Sequence, residues 1–295
     1  MEQTPVSAAS VKLIECPRDA MQGLDYFIPT EKKIRYLNAL LEVGFDTLDC
    51  GSFVSPKAIP QMADTAEVIR ALNWSPDKSA LLVIVANSRG AQQAVAYESI
   101  SYIGFPFSLS ETFQQRNAHA SIQESLGRVE DIQSLCQKNG KRLVVYLSMA
   151  FGNPYGDPWH PEIILQWLEK LVALEVRWVS LADTTGIADA PLIRQVLTAV
   201  MPHAGGITLG LHLHTTPQSW REKMDVAWAC GCRRFDGALR GLGGCPMAAD
   251  HLVGNMPMEN MVAYFHEMGV ATGVDRERLT QVLLLASETF QPVAV

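Results

Sequence analysis

His212 and His214 stand two residues apart in a stretch, Gln195 to Trp220, that lacks Asp, Glu, Lys and Arg. The run ITLGLHLH at 207–214 reads as a β-strand, and on a strand residues i and i+2 share one side, so both imidazoles can reach one cation. Asp19, at the end of an earlier apolar run, can add an oxygen ligand. A mixed nitrogen and oxygen set without thiolate suits Mg²⁺ or Mn²⁺ chelating an oxygen-rich substrate, with Zn²⁺ left open; core or surface histidines are the alternative. Arg18 beside Asp19 is either a plain ion pair or a guanidinium that stabilises an enolate or carboxylate oxygen. Asp183 opens Asp183-Thr184-Thr185-Gly186, a turn cap or part of a site. Cys245 follows Gly243-Gly244, and an unpaired thiol on a glycine-rich loop can act as acid or base. Asn255, after Gly254, either lends an amide oxygen to the metal or caps the helix that follows.

These residues need elements that bring them together. Eight β-rich runs recur: VKLIEC at 11–16, DTLDC at 46–50, ALLVIVA at 80–86, ISYIGF at 100–105, RLVVYLSMA at 142–150, RWVSLAD at 177–183, ITLGLHLH at 207–214 and CRRFDGAL at 232–239. They are continuous apolar runs, as parallel strands covered on both faces require. Helical segments lie between them, one beginning near Thr30 and stopping at Gly44, others opened by Pro161 and Pro191, and the longest closed by Gly140. Eight strands alternating with helices over ~250 residues predict an α/β fold, a (β/α)₈ TIM barrel, with an open doubly wound sheet as the other arrangement. In such a barrel the C-terminal strand ends form one ring. It would gather Arg18 and Asp19, Asp49 and Ser52, Asp183, the two histidines and the Gly241–Cys245 loop at one mouth.

The chain has 295 residues, 48% hydrophobic and 19% charged, with net charge −7. Such a chain can bury roughly three-quarters of its unfolded surface in one core without disulfides or structural metals. No linker or composition shift divides it, so the reading is one barrel domain over 1–295. A short extension at 1–10 precedes the barrel, and C-terminal helices at 255–295 pack on it. The acidic balance argues against nucleic-acid partners, no segment reads as membrane-spanning, and the six scattered cysteines read as reduced thiols in a cytoplasmic protein. Dinucleotide loops and a Ser-His-Asp nucleophile arrangement are not visible.

Taken together, Pro17-Arg18-Asp19-Ala20-Met21-Gln22, Gly51-Ser52-Phe53-Val54-Ser55-Pro56-Lys57 and Pro60-Gln61-Met62-Ala63-Asp64 resemble the 3-hydroxy-3-methylglutaryl-CoA lyase family, within the metal-dependent aldolase and Claisen-type barrels. So do Ser110-Glu111-x-Phe113, Asp183-Thr184-x-Gly186, His212-x-His214 and Gly241-Leu242-Gly243-Gly244-Cys245-Pro246, in order from about residue 11 to 280.

The resemblance implies a (β/α)₈ carbon–carbon lyase that uses Mg²⁺ or Mn²⁺ to cleave 3-hydroxy-3-methylglutaryl-CoA into acetyl-CoA and acetoacetate. It implies Asp19, His212, His214 and Asn255 as metal ligands, and Arg18, Asp19, Asp49, His212 and Cys245 in catalysis. Arg18, Gln22, Ser52 and Asp183 would lie against the substrate, an acyl-CoA or related 3-hydroxy acid. The homodimer common in the family comes with it by analogy. Three departures stand out: Asp49 where the family has Glu, Thr215-Thr216-Pro217-Gln218 after the second histidine where Asp-Thr-Tyr-Gly is usual, and Leu24-Asp25 where Glu-Lys is usual. The alternatives are a lyase of the same branch acting on a different 3-hydroxy acid or thioester, and a barrel that binds metal or ligand without turnover.

Overall fold

The computed structural model describes residues 10–244 and 253–292. Each of the eight predicted runs carries one strand of a closed barrel: β1 (Lys12–Glu15), β2 (Thr47–Ser52), β3 (Ala80–Ile84), β4 (Ile100–Ser108), β5 (Arg142–Ser148), β6 (Trp178–Ala182), β7 (Thr208–His212) and β9 (Arg234–Gly237). Every neighbouring pair is parallel, and β9 closes on β1 through Ile14 opposite Asp236. The fold is a (β/α)₈ barrel, not an open sheet. Two further short strands, β8 (His214–Thr215) and β10 (Gly254–Asn255), pair antiparallel outside the barrel.

Helices α1 (Pro17–Gln22), α2 (Thr30–Leu41), α3 (Thr65–Arg70), α4 (Ser88–Val95), α5 (Glu111–Ala118), α6 (Ile122–Lys138), α7 (Pro161–Ala173), α8 (Ala190–Val200) and α9 (Trp220–Ala229) connect the strands. Their starts follow local chemistry. Ser121 and Glu124 form a reciprocal capping box on α6, the Ser110 hydroxyl accepts from Phe113 N on α5, and Pro161 opens α7. Thr30 is the first residue of α2, and its hydroxyl donates to Asp64 Oδ2 at 2.8 Å. The C-terminal segment holds α10 (Met258–Glu267) and α11 (Arg276–Thr289). Phe265 of α10 packs on Phe235 of β9 and Trp228 of α9, which puts α10 in the place of the barrel's eighth helix. Helix α11 lies against α2, where Tyr36 meets Phe290 edge-on and Arg278 donates to Glu42.

Outward-facing strand residues such as Leu13, Leu81, Val145 and Phe235 join the helices in one large core. A second, small cluster of Leu82, Ile84, Tyr102 and Val144 fills part of the barrel interior. Beside it the interior is polar, with Ser180, Arg234 and Asp236 all buried. The five described cysteines are unpaired, four of them buried.

Candidate active site at the barrel mouth

Asp19 sits on α1, a single turn that starts directly after β1, so it is delivered to the mouth with Arg18 and Gln22. Strand β2 has a register shift against β3 between Asp49 and Gly51, leaving Cys50 as the extra residue. The bulge locally redirects the strand end, and Asp49 lines the mouth. Arg18 binds Asp49 twice, through Nε at 3.0 Å and Nη2 at 2.6 Å to Oδ2. Its Nη1 donates to Asp19 Oδ1 at 3.1 Å and to Gln22 Oε1 at 2.8 Å, and Gln22 Nε2 donates to the same Asp19 oxygen at 3.1 Å.

The two histidines do not share one strand as the spacing predicts. His212 ends β7, and after Leu213 the chain re-enters pairing as β8, where His214 faces Asn255 of β10. Both rings nevertheless line the same cavity with centroids 5.4 Å apart. One ligand atom each from Asp19, His212 and His214 lies within 4.8 Å of the others. The β8–β10 pairing carries Asn255 to this group: its Nδ2 donates to Asp19 Oδ2 at 2.6 Å and to Leu242 O at 2.8 Å, while its buried Oδ1 has no partner among the described residues. A side chain on Gly243 would meet Asp19 O and Asn255 Nδ2 at 2.8 Å, so the glycine, at φ +85°, lets the 241–244 backbone lie on these groups. Two imidazoles and a carboxylate form a donor set that fits a divalent cation, with the Asn255 amide bonded beside them to Asp19.

The electrostatics are those of a buried charged cluster. Burial pushes the Asp19 carboxyl up, but Arg18, His212 and the Asn255 bond outweigh it and hold it below the usual value. Burial also pushes Asp49 up, against the pull of Arg18, to about 6. Burial followed by repulsion from His212 brings His214 down to about 4, so that ring is neutral and able to ligate at pH 7.

The cavity holds about 420 Å³. Its lining combines the polar Arg18, Asp19, Gln22, Asp49, His212 and His214 with apolar residues such as Val54, Ile84, Pro106 and Phe113. Arg18 is the one Lys or Arg side chain that lines it among the described residues. Two expected substrate contacts are elsewhere. Ser52 is buried and donates to Ile84 O at 3.2 Å, while Asp183 is buried under the mouth, accepting from Ala188 N and lying 3.6 Å from Lys223 Nζ. In that position Asp183 acts as the turn cap, and its neighbour Thr184 reaches the cavity instead. Cys245 falls outside the described residues.

Three further elements of the mouth carry no sequence motif of their own. Lys223 of α9 is buried and donates to the His214 carbonyl at 2.7 Å, holding the strand break between the histidines. Tyr146 lines the cavity edge-on to His212. The alternation Arg234-x-Asp236 in β9 was the available signal for an inward charged pair.

A model of the HMGL-like family matches residues 11–285. The chain belongs to the HMGL-like family. It is 33% identical over 274 residues to the mitochondrial hydroxymethylglutaryl-CoA lyase of Mus musculus, covering 92% of this chain and 83% of that one. To the cytoplasmic 3-hydroxy-3-methylglutaryl-CoA lyase of Danio rerio it is 34% identical, covering 92% and 81%. Among solved structures, the HMG-CoA lyase of Brucella melitensis superposes with a TM-score of 0.89 at 32% identity, over 97% of this chain and all of that one. An HMG-CoA lyase from Acinetobacter baumannii, solved with coenzyme A and 3-methylmalate, superposes at 0.87 and 30% identity, over 95% and 91%. HMGL-like membership makes this protein a carbon–carbon lyase of the HMG-CoA lyase type. Among the described residues no helix is long and apolar enough to cross a membrane.

Proposed function

We propose that the protein cleaves 3-hydroxy-3-methylglutaryl-CoA into acetyl-CoA and acetoacetate with the help of Mg²⁺ or Mn²⁺. The observation that carries this reading is the convergence of Asp19, His212 and His214 within one cavity, with Arg18 beside them. Asp19, His212, His214 and Asn255 would hold the cation, whose charge would make the substrate's tertiary hydroxyl more acidic.

The remaining chemistry belongs to side chains. Asp49, tuned to about 6, takes the C3 hydroxyl proton. The C2–C3 bond breaks, C3 becomes the ketone of acetoacetate, and the electron pair moves into the thioester enolate. Arg18 donates to the enolate oxygen, and Gln22 and Asp19 hold the guanidinium in place. Protonation at C2 completes acetyl-CoA, and Cys245 is the donor that the family resemblance assigns. The unpaired thiols support a reducing, cytoplasmic setting.

The test is incubation of purified protein with 3-hydroxy-3-methylglutaryl-CoA and Mn²⁺, following both products. Acetoacetate and acetyl-CoA in a one-to-one ratio, lost with EDTA, is the expected result. Cleavage of another 3-hydroxy acid or thioester, with this substrate untouched, would replace the substrate and keep the chemistry.

A further inference from the structure

His212 has two ring nitrogens, and only one can serve the cation site. Its Nδ1 is buried, has no hydrogen-bond partner among the described residues and lies 3.4 Å from Asp236 Oδ2. The register explains the encounter: His212 of β7 and Asp236 of β9 are paired residues whose side chains both enter the barrel. Asp236 is itself held from two sides, since Ser180 Oγ donates to its Oδ2 at 3.2 Å and Arg234 Nη1 lies 3.3 Å from its Oδ1. Room for the guanidinium comes from Gly210, where a Cβ would stand 2.5 Å from Arg234 Nη1.

We propose that Asp236 is the positioning residue of the cation site. Held by Arg234 and Ser180, it takes the Nδ1 proton of His212 as its hydrogen-bond donor and so presents Nε2 to the cation. Carboxylates behind metal-binding imidazoles fix the tautomer and the ring orientation in this way. Cys16 also approaches His212 and Asp236, with ligand atoms within 4.8 Å. A second cation there would face the Arg234 guanidinium across Asp236, so the Asp236 side of His212 serves as support and not as another metal site.

The proposal rests on the reading of the mouth as a cation site, and the experiment separates the two. Mn²⁺ dissociation constants are measured by titration, with free Mn²⁺ read by electron paramagnetic resonance, for wild type, Asp236→Asn and the double variant Arg234→Met/Asp236→Asn. Asp236→Asn is expected to weaken Mn²⁺ by ~10–100-fold. The double variant removes both buried charges together, which relieves any folding defect of the single one. It is expected to stay at least ~10-fold weaker than wild type, because the imidazole has lost its carboxylate. Recovery of wild-type affinity in the double variant would make Asp236 a mere counter-charge and overturn the proposal. Nitrogen-15 spectra of Mg²⁺-loaded wild type add a test that needs no variant: the His212 proton should sit on Nδ1, and a proton on Nε2 would overturn the assignment. Wild type that binds no Mn²⁺ would remove the cation site and this proposal with it. Wild type that binds while both variants bind equally well removes the proposal alone.

Discussion

Arg18 reaches two carboxylates at once: Nε and Nη2 grip Asp49 Oδ2 at 3.0 and 2.6 Å while Nη1 holds Asp19 Oδ1 at 3.1 Å. The guanidinium is therefore oriented before any substrate arrives, and its direction is set by the strand end of β2 and the single turn of α1. A buried cation kept by two partners stays charged, since Asp49 and Asp19 outweigh the burial that pulls it down. Arg18→Gln should lower kcat by ~10²–10³ with the far-ultraviolet circular dichroism unchanged, in line with loss of one preorganised oxyanion donor. Near-normal turnover would take Arg18 out of the chemistry.

Asp49 has a second function as the partner that fixes Arg18. Asp49→Asn keeps the shape but removes both the counter-charge and the carboxyl that burial raises to about 6. Rate measurements should show a fall of ~10²-fold or more, with KM changed far less than kcat. A rise in KM at constant kcat would show that Asp49 only helps to bind substrate.

His214 lies opposite Asn255 across the β8–β10 pair, and its buried ring lines the cavity edge-on to His212. His214→Ala should weaken Mn²⁺ by more than the ~10–100-fold typical of an outer-shell change, while the urea midpoint of the metal-free protein barely moves. Unchanged Mn²⁺ affinity, read by isothermal titration, would exclude His214 as a ligand.

Glu15 is buried on β1 with Oε1 accepting from Leu239 N and Oε2 without a partner among the described residues. Burial raises its pKa well above the ordinary value, outweighing the Leu239 bond. The folded chain then keeps a proton that the unfolded chain releases above pH ~4.3. Folding stability from this group is fully present at low pH and falls as pH rises toward the folded pKa, by up to ~1.4 kcal/mol per pH unit. Glu15→Gln should therefore gain on wild type as pH rises from 4.5 to 8 in urea unfolding experiments. Parallel stability curves would mean that Glu15 is already ionised in the folded state.

Gly210 gives way to the Arg234 side chain, whose Nη1, Cδ and Cγ would meet a new Cβ at 2.5 to 3.2 Å. Arg234 is buried in the barrel and cannot swing into solvent. Gly210→Ala should cost ~1–3 kcal/mol as an overpacked interior, seen as a lower urea midpoint. An unshifted midpoint would show that Arg234 has another place to go.

All eight barrel strands were legible because buried parallel strands leave unbroken apolar runs with turn residues between them. The mouth residues Arg18, Asp19, Asp49, His212 and His214 could be read the same way, since a residue at a strand end has only one place to be in a closed barrel. What could not be read depends on pairing across the chain. Nothing local shows that His214 leaves β7 for β8, or that Asp183 turns down to Ala188 and Lys223 while Thr184 faces the cavity. Arg234 and Asp236 read as part of a strand, but which charge meets which neighbour is decided by the β7–β9 register. The sequence places α10 among C-terminal helices packed on the barrel, but gives no sign that it packs on β9 as the eighth helix.

On the proposed reading, one cation held by Asp19, His212, His214 and Asn255 enables carbon–carbon cleavage of 3-hydroxy-3-methylglutaryl-CoA. The most direct measurement strips the protein with EDTA, adds Mn²⁺ in steps, and records bound Mn²⁺ and the rate of acetoacetate formation on the same samples. Negligible rate is expected in the stripped protein, with a rise in proportion to occupancy that ends at one Mn²⁺ per chain. A stripped protein that cleaves at the full rate, or a loaded one that leaves the substrate intact, would contradict that reading.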